Sequence, residues 1–223
     1  MDLSSVTLNI GKGKNVGMPP LSDHHNQLKV QFANESVPQN GVIIIGDSHA
    51  ELWGGPTDNA KFLKVPTINR GIGGDLTNGV VDLMPYFVAL QPSTVIMSIG
   101  SNNLGWNSRA SINAILPEIT NITNVFLNIP NCRVILNQIL PVCNSLVPTM
   151  IGGRTPEWLA IINNGLATIQ NNLSTIHGDR IKLIQYINIL TNGWELKPEL
   201  SLEGVHLNPD GYKIWADLLN QIL

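Results

Sequence analysis

The chain has 223 residues, of which 43% are hydrophobic and 13% charged; this is enough apolar content for one sizeable core, without the polar bias of a disordered or fibrous chain. A formal net charge of -3 offers no basic stripe to neutralise phosphates, which sets nucleic acid aside as a partner and points to a neutral or weakly polar small molecule. Cys132 and Cys143 flank a single strand and its following loop, so a bridge would require that segment to fold back on itself, and both are expected as free thiols.

The opening residues, MDLSSVTLNIGKGKNVG, lack the basic start and continuous apolar core of a signal peptide, and no later run reaches membrane-spanning length. The expectation is a chain with no membrane span, cytoplasmic by default, or secreted if a leader was trimmed. Up to about Pro20 the chain reads as an extended arm, and Leu21 to Asn34 as a short amphipathic helix. Residues 1–40 would then pack as arm and helix on a single domain spanning 41–223. His24 and His25 lie in that helix without metal-binding partners nearby, and solvent exposure is expected for both.

Gly41-Val-Ile-Ile-Ile-Gly46 reads as a fully buried strand, and it ends in Asp47-Ser48-His49. Ser48 is either a helix cap or, at the carboxyl end of a parallel strand, a nucleophile at the edge where open α/β sheets bind ligands. A second strand, Lys64 to Asn69, opens into Arg70-Gly-Ile-Gly-Gly-Asp-Leu-Thr77, with Asp75 or Thr77 as cap of a helix running to Leu90. Thr94 to Ile99 is a third strand, ending in Gly100-Ser-Asn-Asn103, and a helix from Ser108 to Asn128 follows. Arg133 to Leu140 is a fourth strand. The long loop after it, Pro141 to Pro156, is a candidate substrate wall. Glu157 to Thr175 is a helix and Arg180 to Ile187 the fifth strand. In the last stretch, Asn208 caps a helix that begins at Pro209 and holds His206 in the loop before it, with Glu203 three residues upstream. Strand and helix alternate throughout, which predicts an α/β fold with a parallel, doubly wound sheet.

Each of these residues taken singly has an ordinary structural use. Together they converge on one edge of one sheet and supply the inventory for acyl transfer. Ser48 would attack a carbonyl, His206 would carry the proton, and Glu203 would hold the imidazole. The backbone N–H groups of Ser48 and Gly74, with the Asn102 amide, would receive the oxyanion. Asp47, Trp53, Trp106 and Trp158 follow or flank the site-edge segments and are candidates for substrate contact, the tryptophans as stacking platforms and equally as core residues.

Gly46-Asp-Ser-His49, Gly71-Ile-Gly-Gly-Asp75, Gly100-Ser-Asn-Asn103 and Glu203-Gly-Val-His206 resemble, in order, four blocks of the SGNH (GDSL-type) hydrolases. The resemblance runs from about Gly41 to the C-terminus. It implies a three-layer flavodoxin-like fold with a five-stranded parallel sheet, ester hydrolysis without metal or organic cofactor, Ser48 as nucleophile, His206 as base, and Ser48, Gly74 and Asn102 as oxyanion hole. Two positions depart from the family pattern, since Glu203 and Asn103 stand where Asp is usual. Leu140-Pro-Val142, Arg154-Thr-Pro-Glu157 and Glu203-Gly-Val-His206 are similar to bacterial members related to platelet-activating-factor acetylhydrolase and to carbohydrate acetylesterases, a resemblance that favours a small acyl group, acetyl above others, on a carbohydrate or other small alcohol. The alternatives are an aryl esterase or lysophospholipase-type hydrolase, a non-catalytic binding module on the same fold, and a flavodoxin-like nucleotide binder.

Overall fold

The computed structural model describes residues 18–54, 58–149 and 152–223; most of the N-terminal arm expected from the sequence lies outside the described residues. Five strands, β1 (Val42–Gly46), β2 (Thr67–Gly71), β3 (Thr94–Ser98), β4 (Arg133–Asn137) and β5 (Ile181–Ile184), form one all-parallel sheet in the order β2-β1-β3-β4-β5. The chain leaves β1 toward one edge and returns to its other side for β3. Their carboxyl ends therefore flank the switch point where such sheets open a crevice.

The continuous apolar runs follow from burial on both faces. Ile43 and Ile45 of β1, Val95 and Met97 of β3, and Val134 and Leu136 of β4 point into one core, shared with the helices α3 (Thr77–Ala89), α5 (Arg109–Leu127) and α6 (Pro156–His177). Their neighbours Ile44, Ile96 and Ile135 point into the other, with Trp53, Tyr186, and Tyr212 and Trp215 of the last helix, α8 (Pro209–Leu219). Both layers bury large side chains completely, at about 25 cal/mol for each Å² of apolar surface removed from water. Cys132 and Cys143 are buried and unbridged, and no described helix is long and apolar enough to cross a membrane.

Several local expectations shift. β2 begins at Thr67, after Pro66, which has no N–H to offer a ladder. The Gly100–Asn103 segment opens a short helix, α4 (Ser101–Trp106), and after β5 a turn of helix, α7 (Ile187–Leu190), leads into a two-stranded ribbon of Thr191–Asn192 against Glu195–Leu196. Neither Asp75 nor Thr77 caps α3. Its N-cap is Leu76, and the service comes from outside the segment: Asn103 Oδ1 accepts from the Thr77 N–H at 3.0 Å while its Nδ2 donates to Thr77 Oγ1 and the Ser111 carbonyl. An Asn at this position, where Asp is usual in the family it resembles, is thus fully bonded as donor and acceptor. The N-terminal helix α1 (Asp23–Asn34) packs on α3 and is capped by Ser22. Only one of its two histidines is exposed. His24 is open to solvent, but His25 is completely buried between two aspartates, because the helix lies with that face on α3 and its preceding loop.

Candidate active site

β1 stops at Gly46, whose φ of +141° and close approach to the Ser98 carbonyl leave no space for a side chain. Asp47 then caps the turn of helix α2 (Ser48–Glu51), its Oδ1 accepting from the His49 N–H at 3.0 Å. Tyr212 on α8 fixes the same turn by donating from its hydroxyl to the His49 carbonyl at 2.8 Å. Ser48 is thereby lifted past the strand end with its Oγ facing the last loop.

That loop is a tight reversal. Ser201 and Leu207 bridge as an antiparallel pair, the Leu202 N–H donates to the His206 carbonyl at 2.8 Å, and the Gly204 N–H donates to Ser201 Oγ at 2.6 Å. The Cys143 N–H, from the loop after β4, donates to the Gly204 carbonyl at 2.7 Å and anchors the tip. Curling the chain this way sets Glu203 over His206, so that Glu203 Oε1 meets both the ring Nδ1 and the backbone N–H of His206, the latter at 3.2 Å. The extra methylene of Glu over Asp is taken up within this turn. On the other side of the ring, Nε2 lies 2.8 Å from Ser48 Oγ. His49 stands edge-on to His206 with ring centroids 5.4 Å apart, and burial lowers its pKa to about 3. A neutral His49 adds no charge to oppose an imidazolium forming beside it.

The opposite wall is the loop after β2. Gly74 has a φ of +84° and open space where a side chain would project, so its backbone is bare to the cleft. Asn102, on α4, reaches across and donates from Nδ2 to the Asp75 carbonyl at 3.0 Å. Arg154 lies behind it, donating to Ser101 Oγ at 3.0 Å, with its second nitrogen 3.4 Å from Asn102 Oδ1. A cation on the amide oxygen fixes which way Asn102 is flipped and keeps Nδ2 on the Gly74 side. The cleft in front of these groups encloses about 340 Å³ and is bounded by Gly74, Asn102, Trp106, Thr149 and Arg154. A smaller hollow of about 170 Å³, lined by Pro19, Pro20, Leu21, Leu76 and Trp106, adjoins it at Gly74.

The structure thus brings Ser48, His206, Glu203, Gly74 and Asn102 to one edge, with Trp106 beside them, 56% exposed. It does not bring the other three contact candidates. Asp47 is buried against the start of its own helix, and desolvation pushes its pKa up to about 7. Trp53 is enclosed by Tyr212 and Trp215, since the turn that exposes Ser48 directs Trp53 into the core. Trp158 packs against the α3–α5–α6 core and is absent from the cleft lining. Arg154 entered the sequence reading only within the Arg154–Glu157 stretch of the resemblance and was given no role in the site, although it is the single charged residue between Pro141 and Pro156, in a loop already suspected as a wall. Glu51, which accepts from the Gly73 N–H at 3.0 Å, was also missed, having no recognisable spacing to that loop.

A five-stranded parallel sheet between helical layers makes the chain a three-layer α/β protein, a fold that hosts many activities and does not by itself name one. The model of the GDSL-like lipase/acylhydrolase family matches residues 44–214, so the chain belongs to that family and is a carboxylic ester hydrolase. Solved structures share the fold: a GDSL-like lipase from Bacteroides thetaiotaomicron (20% identity, TM-score 0.71, 88% of this chain and 95% of that one), a protein from Streptococcus pneumonia named for platelet activating factor (21%, 0.68, 88% and 89%), and an acetyl xylan esterase (16%, 0.65, 82% and 99%). At these identities the likeness is one of fold. No curated protein sequence matches the chain.

Proposed function

We propose that the protein is a serine esterase that removes a small acyl group, acetyl in the first instance, from a carbohydrate or comparable small alcohol. The observation that carries this reading is the line from Ser48 Oγ to His206 Nε2, at 2.8 Å, and from His206 Nδ1 to Glu203, made by residues from opposite ends of the domain. Ser48 Oγ attacks the acyl carbon as His206 Nε2 takes its proton. The ester carbonyl becomes an oxyanion held by the N–H groups of Ser48 and Gly74 and by Asn102 Nδ2, and the intermediate collapses as His206 returns the proton to the leaving alcohol. Water then repeats the sequence on the acyl-serine and releases the acid. Glu203 keeps Nδ1 protonated and stabilises the imidazolium in both halves.

Support for the small acyl group comes from the confined apolar hollow beside Gly74, and for a ring-bearing alcohol from the exposed face of Trp106 in the larger, more polar cleft. The acetyl xylan esterase sharing the fold gives the carbohydrate a precedent.

The test is hydrolysis of para-nitrophenyl acetate, butyrate and octanoate by wild type and Ser48→Ala near pH 8. Turnover that falls with chain length, and drops by about 10⁴-fold or more in the variant, is expected. Equal rates in the two proteins would refute the assignment of Ser48.

A further inference from the structure

The two adjacent histidines of α1 reach the same short loop from two sides. His25 is completely buried; its Nδ1 lies 2.8 Å from Asp75 Oδ2 and 3.0 Å from Oδ1, while its Nε2 lies 3.1 Å from Asp82 Oδ2. Lys29, one turn further along α1, donates to the same Asp82 oxygen at 2.6 Å. Both ring nitrogens face carboxylate oxygens, so His25, Asp75 and Asp82 must share two protons for both bonds to exist. His24, 47% exposed, places Nε2 2.6 Å from Glu51 Oε1, and the other oxygen of that carboxylate receives the Gly73 N–H at 3.0 Å.

The loop held in this way runs Gly73-Gly74-Asp75, and Asp75 is its hub. Its side chain is bonded to His25, its N–H to the Ile72 carbonyl, and its carbonyl to Asn102 Nδ2. Two of the three donors assigned to the oxyanion, Gly74 N–H and Asn102 Nδ2, are therefore placed by reference to Asp75. A glycine pair has no side chains of its own to restrict it, so its conformation must be imposed from outside. Catalytic donors are worth most when fixed before the charge develops, and displacement of about 1 Å can cost up to about a hundredfold in rate.

We propose that His25, through Asp75, and His24, through Glu51, are positioning residues for the oxyanion hole, which makes the N-terminal helix α1 a working part of the catalytic site. Neither histidine touches substrate; each fixes one side of the glycine loop. The inference rests on the esterase reading for its kinetic consequences but not for its structural one.

The test uses the full chain with His24→Ala, His25→Leu, His25→Asn and His25→Gln, with Ser48→Ala as control. Three quantities are read: kcat and KM on para-nitrophenyl acetate, melting temperature, and deuterium uptake by the peptide spanning Gly71–Leu76. In Asn, the amide nitrogen can stand where His25 Nδ1 meets Asp75; in Gln, it stands where Nε2 meets Asp82. Expected is a fall in kcat of about tenfold to a hundredfold in His25→Leu with KM within about twofold, faster exchange of the loop peptide, and recovery of both readouts in His25→Asn but not in His25→Gln. His24→Ala, a surface change that the fold tolerates, should lower kcat about threefold to tenfold with its melting temperature unchanged. Wild-type kcat and exchange in His24→Ala and His25→Leu would overturn the proposal. So would equal kcat losses in the Leu, Asn and Gln variants that track their melting temperatures, since that assigns His25 to packing alone. Hydrolysis that survives Ser48→Ala would refute the assignment of Ser48 as nucleophile, and loop exchange would still decide whether α1 holds the loop.

Discussion

The two sides of the candidate site are built by different means. On the proton-transfer side, Glu203 and His206 are three residues apart in a reversal that fixes itself, through Ser201, Gly204 and Leu207, with an outside anchor at Cys143. On the oxyanion side, the Gly73–Asp75 loop has almost no side chains of its own and is held by Glu51, Asn102 and His25, which come from three other elements. The first side is locally specified and partly open, Glu203 being 45% exposed. The second is specified by tertiary contacts, with Asp75 and His25 buried behind a Gly74 that is open to the cleft. Rigidity at the proton-transfer side is therefore a property of one turn, while rigidity at the oxyanion side belongs to the whole carboxyl edge of the sheet.

The sharpest way to break the comparison is to delete one donor on the oxyanion side. Asn102→Ala removes a preorganised hydrogen bond to the oxyanion and loosens the tie to Asp75. Turnover on para-nitrophenyl acetate should fall by about 10² to 10³-fold with KM little changed. The melting temperature should move little, because Asn102 lines the cleft and is not sealed in the core. A change confined to KM would show that Asn102 binds ground-state substrate and takes no part in holding the developing charge.

On the other side, Glu203→Gln keeps size and hydrogen bonding but removes the charge facing Nδ1. A fully buried triad acid is worth about 10⁴-fold, and water at the half-exposed Glu203 can replace part of its effect. A fall in kcat of about 10²-fold is expected, with stability unaffected. Retention of full activity would mean that the turn alone orients His206, and the carboxylate would lose its assigned role.

The same contrast governs what could be read from the sequence. β1, β3 and β4 are isoleucine- and valine-rich runs whose length and composition suffice, and Asn208-Pro209 marks the start of α8 by local chemistry alone. The Glu203–His206 pair is likewise visible, because its partners are neighbours in the chain. The cap of α3 was not legible, since it comes from Asn103, 26 residues away. His25 was read as exposed because nothing in α1 shows that its partner is Asp75, 50 residues on. Trp53 was left open between platform and core because spacing along the chain does not tell which way a turn aims a side chain, and the α2 turn aims it at Trp215.

The two sides meet at Ser48, and the floor beneath it is where the smallest effect is expected. Asp47 and His49 are both buried there, and burial moves their pKa values in opposite directions, up to about 7 for the carboxyl and down to about 3 for the imidazole. Between about pH 4 and 7 the folded protein holds a proton on Asp47 that the unfolded chain would release, so this group makes stability fall as pH rises through the window. His49 does the reverse between about pH 3 and 6.5, where the unfolded chain binds a proton that the folded protein refuses, so its contribution rises with pH. The two slopes largely cancel in wild type. Asp47→Asn keeps a side-chain oxygen for the α2 cap and deletes only the carboxyl titration, leaving His49 unopposed. Urea denaturation of the variant should then show stability increasing from pH 4.5 to 6.5 by on the order of 1 to 2 kcal/mol more than in wild type. Parallel pH profiles for the two proteins would mean that Asp47 is ionised in the fold at all these pH values. The positive charge of Arg154 would then outweigh its burial, tying the serine turn electrostatically to the oxyanion side.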